Sequence, residues 1–365
     1  MIGVLGGGQL GRMLALAGLP LGLRFRFLDP SNAAPAAKLG EFVCGDFQDP
    51  GLLPRFVDKL ELVTYEFENV PLDTARWLST RAPVYPPPLA LEASQERIRE
   101  KTLFQSLDIP TPDFAAINSR IELTEAVGRI GLPGVLKTCR FGYDGKGQRV
   151  LETEEDVEAA WQALRGNPLI LEKRIPFECE FSILAVRSLS DEVVLYPLVE
   201  NVHRRGILRL SRVPSLDIPS TVHEQAAEYA RRLLDHLNYV GVLAIEFFQM
   251  GTTLLANEMA PRVHNSGHWT IEGAHTSQFA NHLRALKGWP LGDPQAVGHV
   301  AMVNLIGAIP DAEKVLAIPG VSLHLYDKLP LPDRKVGHIT IVQQERHQVD
   351  ACLDRLRNLP GVELP

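Results

Sequence analysis

Two glutamates in consecutive apolar segments are the first candidates for chemistry. Glu246 interrupts the apolar run 242–248, and Glu258 ends the run 254–257. If these runs pair as a hairpin around a loop at 251–253, the two side chains lie opposite each other, with Cβ atoms about 5 Å apart. Ionised carboxylates that close repel unless a cation separates them, and Mg²⁺ prefers oxygen ligands. The spacing therefore predicts a magnesium site, with a pair of outward-facing strand glutamates as the alternative.

A glycine-rich segment at 137–148 is the second candidate. Gly142, Gly145 and Gly147 fall within six residues, and lysines flank them. Backbone amides and cations of such a loop can cover a triphosphate. Lys137 lies inside an apolar run, which favours a functional role for its ammonium group at a buried position. The alternative is a glycine-rich hairpin turn at the surface.

A second glycine loop lies at the start of the chain. Residues 6–11 fit the pattern Gly-x-Gly-x-x-Gly between a predicted strand and a helix, and Asp29 ends the next strand. Such a loop can bind a dinucleotide, because its glycines allow backbone contact with a pyrophosphate and the acid binds a ribose. The motif alone is weak. A tight strand–helix turn that holds another phosphate, or nothing, is the alternative.

The segment directly after Glu258 is rich in polar side chains. Arg262, His264, Asn265 and Ser266 suit a small planar anion, since a guanidinium group binds carboxylate-like oxygens with two N–H groups. His264 could donate a hydrogen bond to that anion or accept its proton, and the sequence does not choose between these roles.

Cationic side chains gather near the C-terminus. Lys328, Arg334 and Lys335 lie in a turn-rich part of an otherwise acidic chain. A phosphate clamp and a solvated surface turn explain this cluster equally well.

The elements that must position these residues indicate an α/β and α+β protein. Strands and helices alternate over the first 80 residues, which is typical of a parallel sheet, and three prolines at 86–88 end that unit. A helix over 91–107, an α+β stretch and a helix opened by a capping box at Thr221 and Glu224 follow. We expect a Rossmann-like domain at 1–93, a central domain at 94–290 with a flap subdomain at about 110–175, and a small C-terminal domain at 291–365.

Composition excludes several classes of protein. The 365 residues carry 37 Lys and Arg against 44 Asp and Glu, a net charge of −7, which argues against nucleic-acid and anionic-membrane partners. No apolar run approaches the roughly 18 residues of a membrane span. The four cysteines form no Cys-x-x-Cys pair, so we expect neither a zinc ribbon nor a disulfide framework, and a cytoplasmic location.

Together, these segments resemble those of ATP-grasp ligases, and specifically of the 5-(carboxyamino)imidazole ribonucleotide synthetases of purine biosynthesis. The resemblance rests on residues 6–12, 142–148, 257–258, 260–269 and 334–338, of which the run 262–269 is the most specific. Two segments depart from the family pattern. Cys139 and Phe141 replace an arginine and the first glycine of the flap, and Leu331, Pro332 and Asp333 replace Arg-Pro-Gly before Arg334.

The resemblance implies an ATP-grasp core and a ligase that uses ATP and Mg²⁺ to join bicarbonate to the amine of 5-aminoimidazole ribonucleotide, through carboxyphosphate. It also implies a homodimer. The ATP-binding residues that it implies are Arg97, Lys137, Gly142, Tyr143, Asp144, Gly145, Lys146, Gly147, Gln148, Glu172, Lys173, Arg174, Ile175, Glu180, His203, Asn257 and Glu258. Those for the ribonucleotide are Gln9, Leu10, Glu66, Tyr143, Asp144, Lys146, Lys328, Arg334 and Lys335. Glu246 and Glu258 would hold magnesium, and Arg262, His264, Asn265 and Lys137 would be catalytic.

Three alternatives remain open. Another carboxylating or formylating ligase of the same superfamily would share the ATP site and differ in its dependence on the ribonucleotide. A nicotinamide dehydrogenase would use residues 6–11 and Asp29, but it would leave the second glycine loop and the glutamate pair without a role. A binding module without catalysis would need neither the second glycine loop nor the glutamate pair.

Overall fold

The computed structural model describes residues 1–142, 147–215 and 218–365 of the chain. The N-terminal part contains strands Ile2–Leu5 (β1), Phe25–Asp29 (β2), Glu41–Cys44 (β3) and Leu62–Tyr65 (β4), with helices Gln9–Gly18 (α1), Leu53–Val57 (α2) and Leu72–Ser79 (α3). The strands pair in parallel in the order β3-β2-β1-β4. Every residue of β1 and β4 is buried, as expected of parallel strands covered on both faces. The predicted parallel α/β unit is confirmed.

The next segment forms two helices, Pro88–Ser94 (α4) and Arg97–Ser106 (α5), so the prediction of one helix over 91–107 is wrong. Glu96 between them has an extended backbone, with φ −129° and ψ 117°. The buried side chain of Gln95 stabilises this break, because its amide donates to two carbonyl groups of the loop after β4, at 2.8 and 2.7 Å. The second helix consequently begins at Arg97, beside the site described below.

A small antiparallel sheet follows. Its strands are Phe114–Ile117 (β5), Gly134–Thr138 (β6), Gln148–Leu151 (β7) and Leu169–Lys173 (β8), and its helices are Arg120–Ile130 (α6) and Glu155–Leu164 (α7). The strand order is β5-β8-β6-β7. An apolar core of its own, which includes Leu123, Leu136, Leu151 and Leu171, holds the helices against the sheet. The glycine-rich segment therefore connects two neighbouring strands, β6 and β7, of a sheet that is well packed against its helices.

A large antiparallel sheet forms the centre of the molecule. Its strands are Cys179–Arg187 (β9), Val193–Leu195 (β10), Val199–Arg204 (β11), Ile207–Val213 (β12), Gly241–Met250 (β13), Thr253–Ala260 (β14), His299–Ile306 (β15), Val321–Leu325 (β16) and Lys335–Gln343 (β17). The order is β14-β13-β9-β11-β12-β15-β17-β16, with β10 beside β9. The strands after residue 298 thus continue the central sheet, and the domain boundaries expected at 93/94 and 290/291 remain predictions.

Helices Ser220–His236 (α8), Thr270–Gly273 (α9), Gln278–Leu286 (α10), Ala312–Leu316 (α11) and Arg346–Arg357 (α12) complete the fold. The predicted capping box of α8 is wrong: Pro219 is the N-cap residue, and no side chain caps this helix end. Proline sets the start because its fixed φ directs the chain into the first turn. Among the described residues, no helix is both long and apolar enough to cross a membrane.

Candidate active site

The glutamate pair lies on the hairpin of β13 and β14. Glu246 pairs directly with Glu258, as predicted. The predicted loop is wrong, however, because Met250 pairs with Thr253 and leaves only two residues in the turn. A bulge at Asn257 adds the residue that restores the register between the glutamates. Because a bulge changes the direction of side chains, Asn257 faces the site with Glu258 and does not alternate away from it.

The electrostatics of this pair suit a cation. Burial, and then the charge of Glu258, raise the pKa of Glu246 to about 7. Asn257 Oδ1 is buried and has no hydrogen-bond partner in the described part of the chain. Two carboxylates and an amide oxygen are ligands of the type that Mg²⁺ binds. In the described ranges, no group of three His, Cys, Asp or Glu side chains could hold a metal by itself, so phosphate oxygens and water would complete the coordination.

Lys137 is positioned by a buried ion network. Its Nζ lies 3.0 Å from Glu172 Oε2, and the Nζ of Lys101 lies 3.5 Å from the same oxygen. Lys101 is fully buried and also donates to the carbonyl of Ala256 at 3.2 Å. Burial alone would raise the pKa of Glu172, but Lys101, Lys137 and Arg97 lower it to about 2. The ionised Glu172 therefore holds Lys137 at the cavity wall.

Arg97 connects the glutamate pair with the glycine-rich segment. Its Nη1 donates to Glu258 Oε2 at 3.2 Å, and its Nη2 donates to the carbonyl of Gly142 at 3.3 Å. Across the sheet, His203 forms an ion pair with Glu180. Burial lowers the pKa of His203, but the hydrogen bond to Glu180 and the neighbouring carboxylates outweigh it and raise that pKa above its usual value.

Most predicted site residues line two adjoining cavities. The first, of about 630 Å³, includes all the described residues expected to bind the ribonucleotide, together with Gly142 and Arg262: Gln9, Leu10, Glu66, Lys328, Arg334 and Lys335. The second, of about 730 Å³, includes most of the described residues expected to bind ATP and magnesium: Arg97, Lys137, Gln148, Glu172, Lys173, Arg174, Ile175, Glu180, His203, Glu246, Asn257 and Glu258. The residues common to both walls are Arg97, Glu258, His264, Asn265 and Lys335.

The predicted flap is only partly described. Tyr143, Asp144, Gly145 and Lys146 lie outside the described residues. At the base of the flap, the carbonyl of Gly147 accepts a hydrogen bond from the backbone of Thr138 at 2.9 Å. Each of the two departures from the family pattern contributes an exposed side chain, Phe141 or Leu331, to the wall of the first cavity.

The polar segment after β14 is held by partners that the sequence did not reveal. Arg262 Nε donates to Glu68, and its Nη1 donates to the carbonyl of Val263 at 3.0 Å. Asn265 exchanges two hydrogen bonds with the buried Asn304, at 3.0 and 2.7 Å. The one available signal was a polar residue inside an apolar strand, which Asn304 is in β15.

His264 is half-buried at the junction of the cavities. Burial, followed by the nearby charges of Arg262 and Lys335, holds the pKa of its imidazole well below the usual range. The side chain of Gln278 clamps its backbone, accepting from the N–H at 2.9 Å and donating to the carbonyl at 2.7 Å. His264 therefore enters the site as a neutral ring in one position.

The first glycine loop binds carboxylates of its own chain. The N–H of Gly7 donates to Asp29 at 2.7 Å, and the N–H groups of Gly8 and Gly11 donate to Glu66 at 2.5 and 2.9 Å. These are the amides that a pyrophosphate would need, so the structure gives no support to the nicotinamide alternative. The loop instead places Gln9 in the first cavity, where Lys328 donates to its side-chain oxygen.

Comparisons with known proteins agree with this architecture. The family model of the ribonucleotide synthetase preATP-grasp domain matches residues 1–95, that of the ATP-grasp domain matches 102–279, and that of the phosphoribosylaminoimidazole carboxylase C-terminal domain matches 300–351. The expected Rossmann-like, ATP-grasp and small C-terminal parts are thereby confirmed as a fold.

Similar proteins cover the whole chain. An N5-carboxyaminoimidazole ribonucleotide synthase of Pseudomonas aeruginosa is 51% identical over 358 residues, which are 98% of this chain and 99% of that protein. The crystal structure of the synthetase from Thermus thermophilus matches with a TM-score of 0.96 and 55% identity, over 100% of this chain and 99% of that chain. The Aspergillus clavatus enzyme in complex with ADP and 5-aminoimidazole ribonucleotide matches with a TM-score of 0.90 and 31% identity, over 97% of each chain.

Proposed function

This chain belongs to the N5-carboxyaminoimidazole ribonucleotide synthase family, and from that premise we propose how its residues divide the work of the reaction. The enzyme is an ATP-grasp ligase that carboxylates 5-aminoimidazole ribonucleotide at the expense of ATP, so the function expected from the resemblance is confirmed. The dehydrogenase and the non-catalytic alternatives are wrong. The residue roles that follow are part of the proposal.

The observation that carries the proposal is the wall common to the two cavities. We place ATP in the second cavity, beside Lys137 and His203, and the ribonucleotide in the first, beside Gln9 and Lys328. His264 and Asn265 of the common wall, together with Arg262 from the wall of the first cavity, would hold bicarbonate at the junction, within reach of both substrates. Such placement lowers the barrier because the reacting groups are brought together before either reaction step.

The reaction then proceeds in two transfers. A bicarbonate oxygen attacks the γ-phosphorus of ATP, the bond to ADP breaks, and carboxyphosphate forms. The amine of the ribonucleotide attacks the carboxyl carbon, or the carbon dioxide released from it, and phosphate leaves while the amine loses a proton. Arg262 stabilises the carboxylate oxygens, and Lys137 stabilises the charge that moves onto the phosphates.

Magnesium is also part of the proposal. Glu246, Glu258 and the unpartnered Oδ1 of Asn257 would hold it. When bound, the cation neutralises charge on the transferring phosphoryl group. The chain itself contributes the network that keeps Lys137 and Arg97 oriented toward the same phosphates.

We further propose a cytoplasmic homodimer. All four cysteines are free thiols, which suits a reducing compartment. Leu16, Leu19 and Leu21 are exposed within one short stretch of chain and suit an interface between two copies. Light scattering on a size-exclusion column should give twice the chain mass, and a monomer at micromolar concentration would contradict the homodimer.

The test of the proposed roles is ADP formation measured with each substrate omitted in turn. We expect ADP to form only with bicarbonate and to increase when the aminoimidazole ribonucleotide is added. H203A should raise the KM for ATP with little change for the ribonucleotide, and K328A should do the reverse. Equal effects of both variants on both substrates would contradict the assignment of one cavity to each.

A further inference from the structure

A line of buried polar groups crosses the central sheet and ends at His264. Ser211 Oγ donates to Asn201 Oδ1 at 2.7 Å, and Asn201 Nδ2 donates to Ser182 Oγ at 2.9 Å. Ser182 Oγ then donates to Ser266 Oγ at 2.7 Å, and Ser266 Oγ lies 2.9 Å from His264 Nδ1. Ser182 and Ser266 are fully buried, and Asn201 is only 4% exposed. Side chains this deep keep the hydrogen-bond partners that the fold assigns to them.

The direction of these hydrogen bonds determines which ring nitrogen of His264 carries the hydrogen. Because Ser266 Oγ accepts from Ser182, its own hydrogen is available to His264 Nδ1. The backbone N–H of Ser266 also points at Nδ1, at 3.3 Å. A backbone N–H can only donate, so Nδ1 acts as an acceptor. A neutral imidazole with an acceptor at Nδ1 carries its hydrogen on Nε2.

The other side of the ring faces the junction of the cavities. His264 Nε2 lies 3.7 Å from Glu246 Oε1, and the residue lines both cavities. The backbone clamp of Gln278 prevents the ring from moving away with its peptide. The group presented to a ligand at the junction is therefore an N–H.

We infer that His264 acts on bicarbonate as a hydrogen-bond donor through Nε2–H, and that Ser266, oriented by Ser182, is the positioning residue that selects this tautomer. The inference rests on the proposed place of bicarbonate at the junction. It decides between the two roles of His264 that the sequence leaves open.

The chemistry of the first transfer agrees with a donor. Bicarbonate is already a monoanion, so its charged oxygen can form the bond to phosphorus without losing a proton. The electron pair of the broken bond leaves with ADP, and the hydroxyl hydrogen of bicarbonate stays on carboxyphosphate. No base is required at His264, whereas a donor stabilises the carboxylate oxygen that does not attack.

The first experiment compares H264Q, H264N and H264A. Glutamine can place an amide N–H near the position of Nε2 but takes up no proton at neutral pH, while asparagine is shorter and alanine has no donor. We expect H264Q to keep at least about a tenth of the wild-type kcat/KM for bicarbonate, and H264A and H264N to lose about a hundredfold or more. H264Q as inactive as H264A would overturn the donor role.

The second experiment observes the tautomer directly, by ¹⁵N NMR of protein labelled only at histidine, with the His264 signals assigned by their loss in H264Q. Wild type should show an unprotonated Nδ1 and a protonated Nε2. S266A keeps the backbone donor but loses the hydroxyl, so we expect a mixture of tautomers and a rise of about fivefold to tenfold in the KM for bicarbonate. The KM for ATP should stay within about twofold.

S106A, which removes an exposed hydroxyl that lines neither cavity, is the matched control and should leave both readouts unchanged. A protonated Nδ1 in wild type, or an S266A spectrum and KM like those of S106A, would overturn the inference. The NMR result needs no turnover. A failure of the proposed function would instead appear as wild-type ADP formation that does not depend on bicarbonate.

Discussion

The raised pKa of Glu246 leads to a measurable property of the glutamate pair. Burial, and then the charge of Glu258, bring this pKa to about 7, so roughly half of the Glu246 side chains are protonated at pH 7. A cation between the two carboxylates stabilises the ionised form and displaces that proton. We therefore expect the binding of Mg²⁺ with ADP to release about half a proton per chain from Glu246 at pH 7.

The sign of the pH dependence follows from the direction of the shift. Glu246 holds its proton until the pH exceeds about 7, so the release should approach about one proton at pH 6 and fall to about a tenth at pH 8. The same shift destabilises the metal-free fold. Its cost is absent below the unfolded pKa, grows as the pH rises, and reaches about 3 kcal/mol above pH 7.

Calorimetric titration with MgADP in buffers of different ionisation enthalpy measures the protons released. E246Q is the matched control, because glutamine keeps the size and one oxygen ligand but has no proton to release. The difference between wild type and E246Q removes protons that come from the nucleotide or from other groups. Equal release from both proteins at pH 6 and pH 7 would refute either the raised pKa or the contact of Glu246 with the cation.

Three further predictions concern the remaining parts of the site. R262M should lose far more bicarbonate-dependent ADP formation than R262K, with ATP-analogue binding nearly intact in both, because lysine keeps the charge but not the two-pronged donor; loss of analogue binding would move Arg262 to the nucleotide site. G8V should raise the KM for the ribonucleotide and leave that for ATP nearly unchanged, since a Cβ at Gly8 would lie 2.5 Å from Glu66 Oε1; equal rises would contradict this. N304L leaves the amide of Asn265 without its buried partner. It should lower the free energy of unfolding, measured by chemical denaturation, by about 2 kcal/mol and raise the KM for bicarbonate, measured from initial rates. An unchanged KM would argue against Asn304 as a support of the anion site.

Local patterns identified the strands well. Ile2–Leu5 and Leu62–Tyr65 are short, mostly apolar runs, and every residue of both strands is buried. The pairing of Glu246 with Glu258 was also predicted correctly, although from the wrong loop. Two errors cancelled there, since a shorter turn and a one-residue bulge preserve the same register. A bulge has no sequence signal as strong as the apolar run that contains it.

Helix boundaries were predicted less well, because they depend on contacts outside the helix. The break between α4 and α5 exists because Gln95 bonds to carbonyl groups in the loop after β4, 25 and 27 residues earlier in the chain. The glycines at 6–11 show the same limit. Their pattern allows an anion at the start of α1, but the fold supplies that anion from Glu66.

The sequence by itself determined the chemical groups of the site: the carboxylate pair, the cations and the polar segment after β14 are all visible as residue types in a regular pattern. The tertiary structure decided how each group is held. Arg262 depends on Glu68 at a separation of 194 residues, Ser266 on Ser182 at 84, and Asn265 on Asn304 at 39. A periodic pattern of apolar residues relates positions that are two to four residues apart, whereas these hydrogen bonds form only after distant strands pack. For that reason the tautomer that we infer for His264, and the donor role that we propose for it, could be argued only from the folded chain.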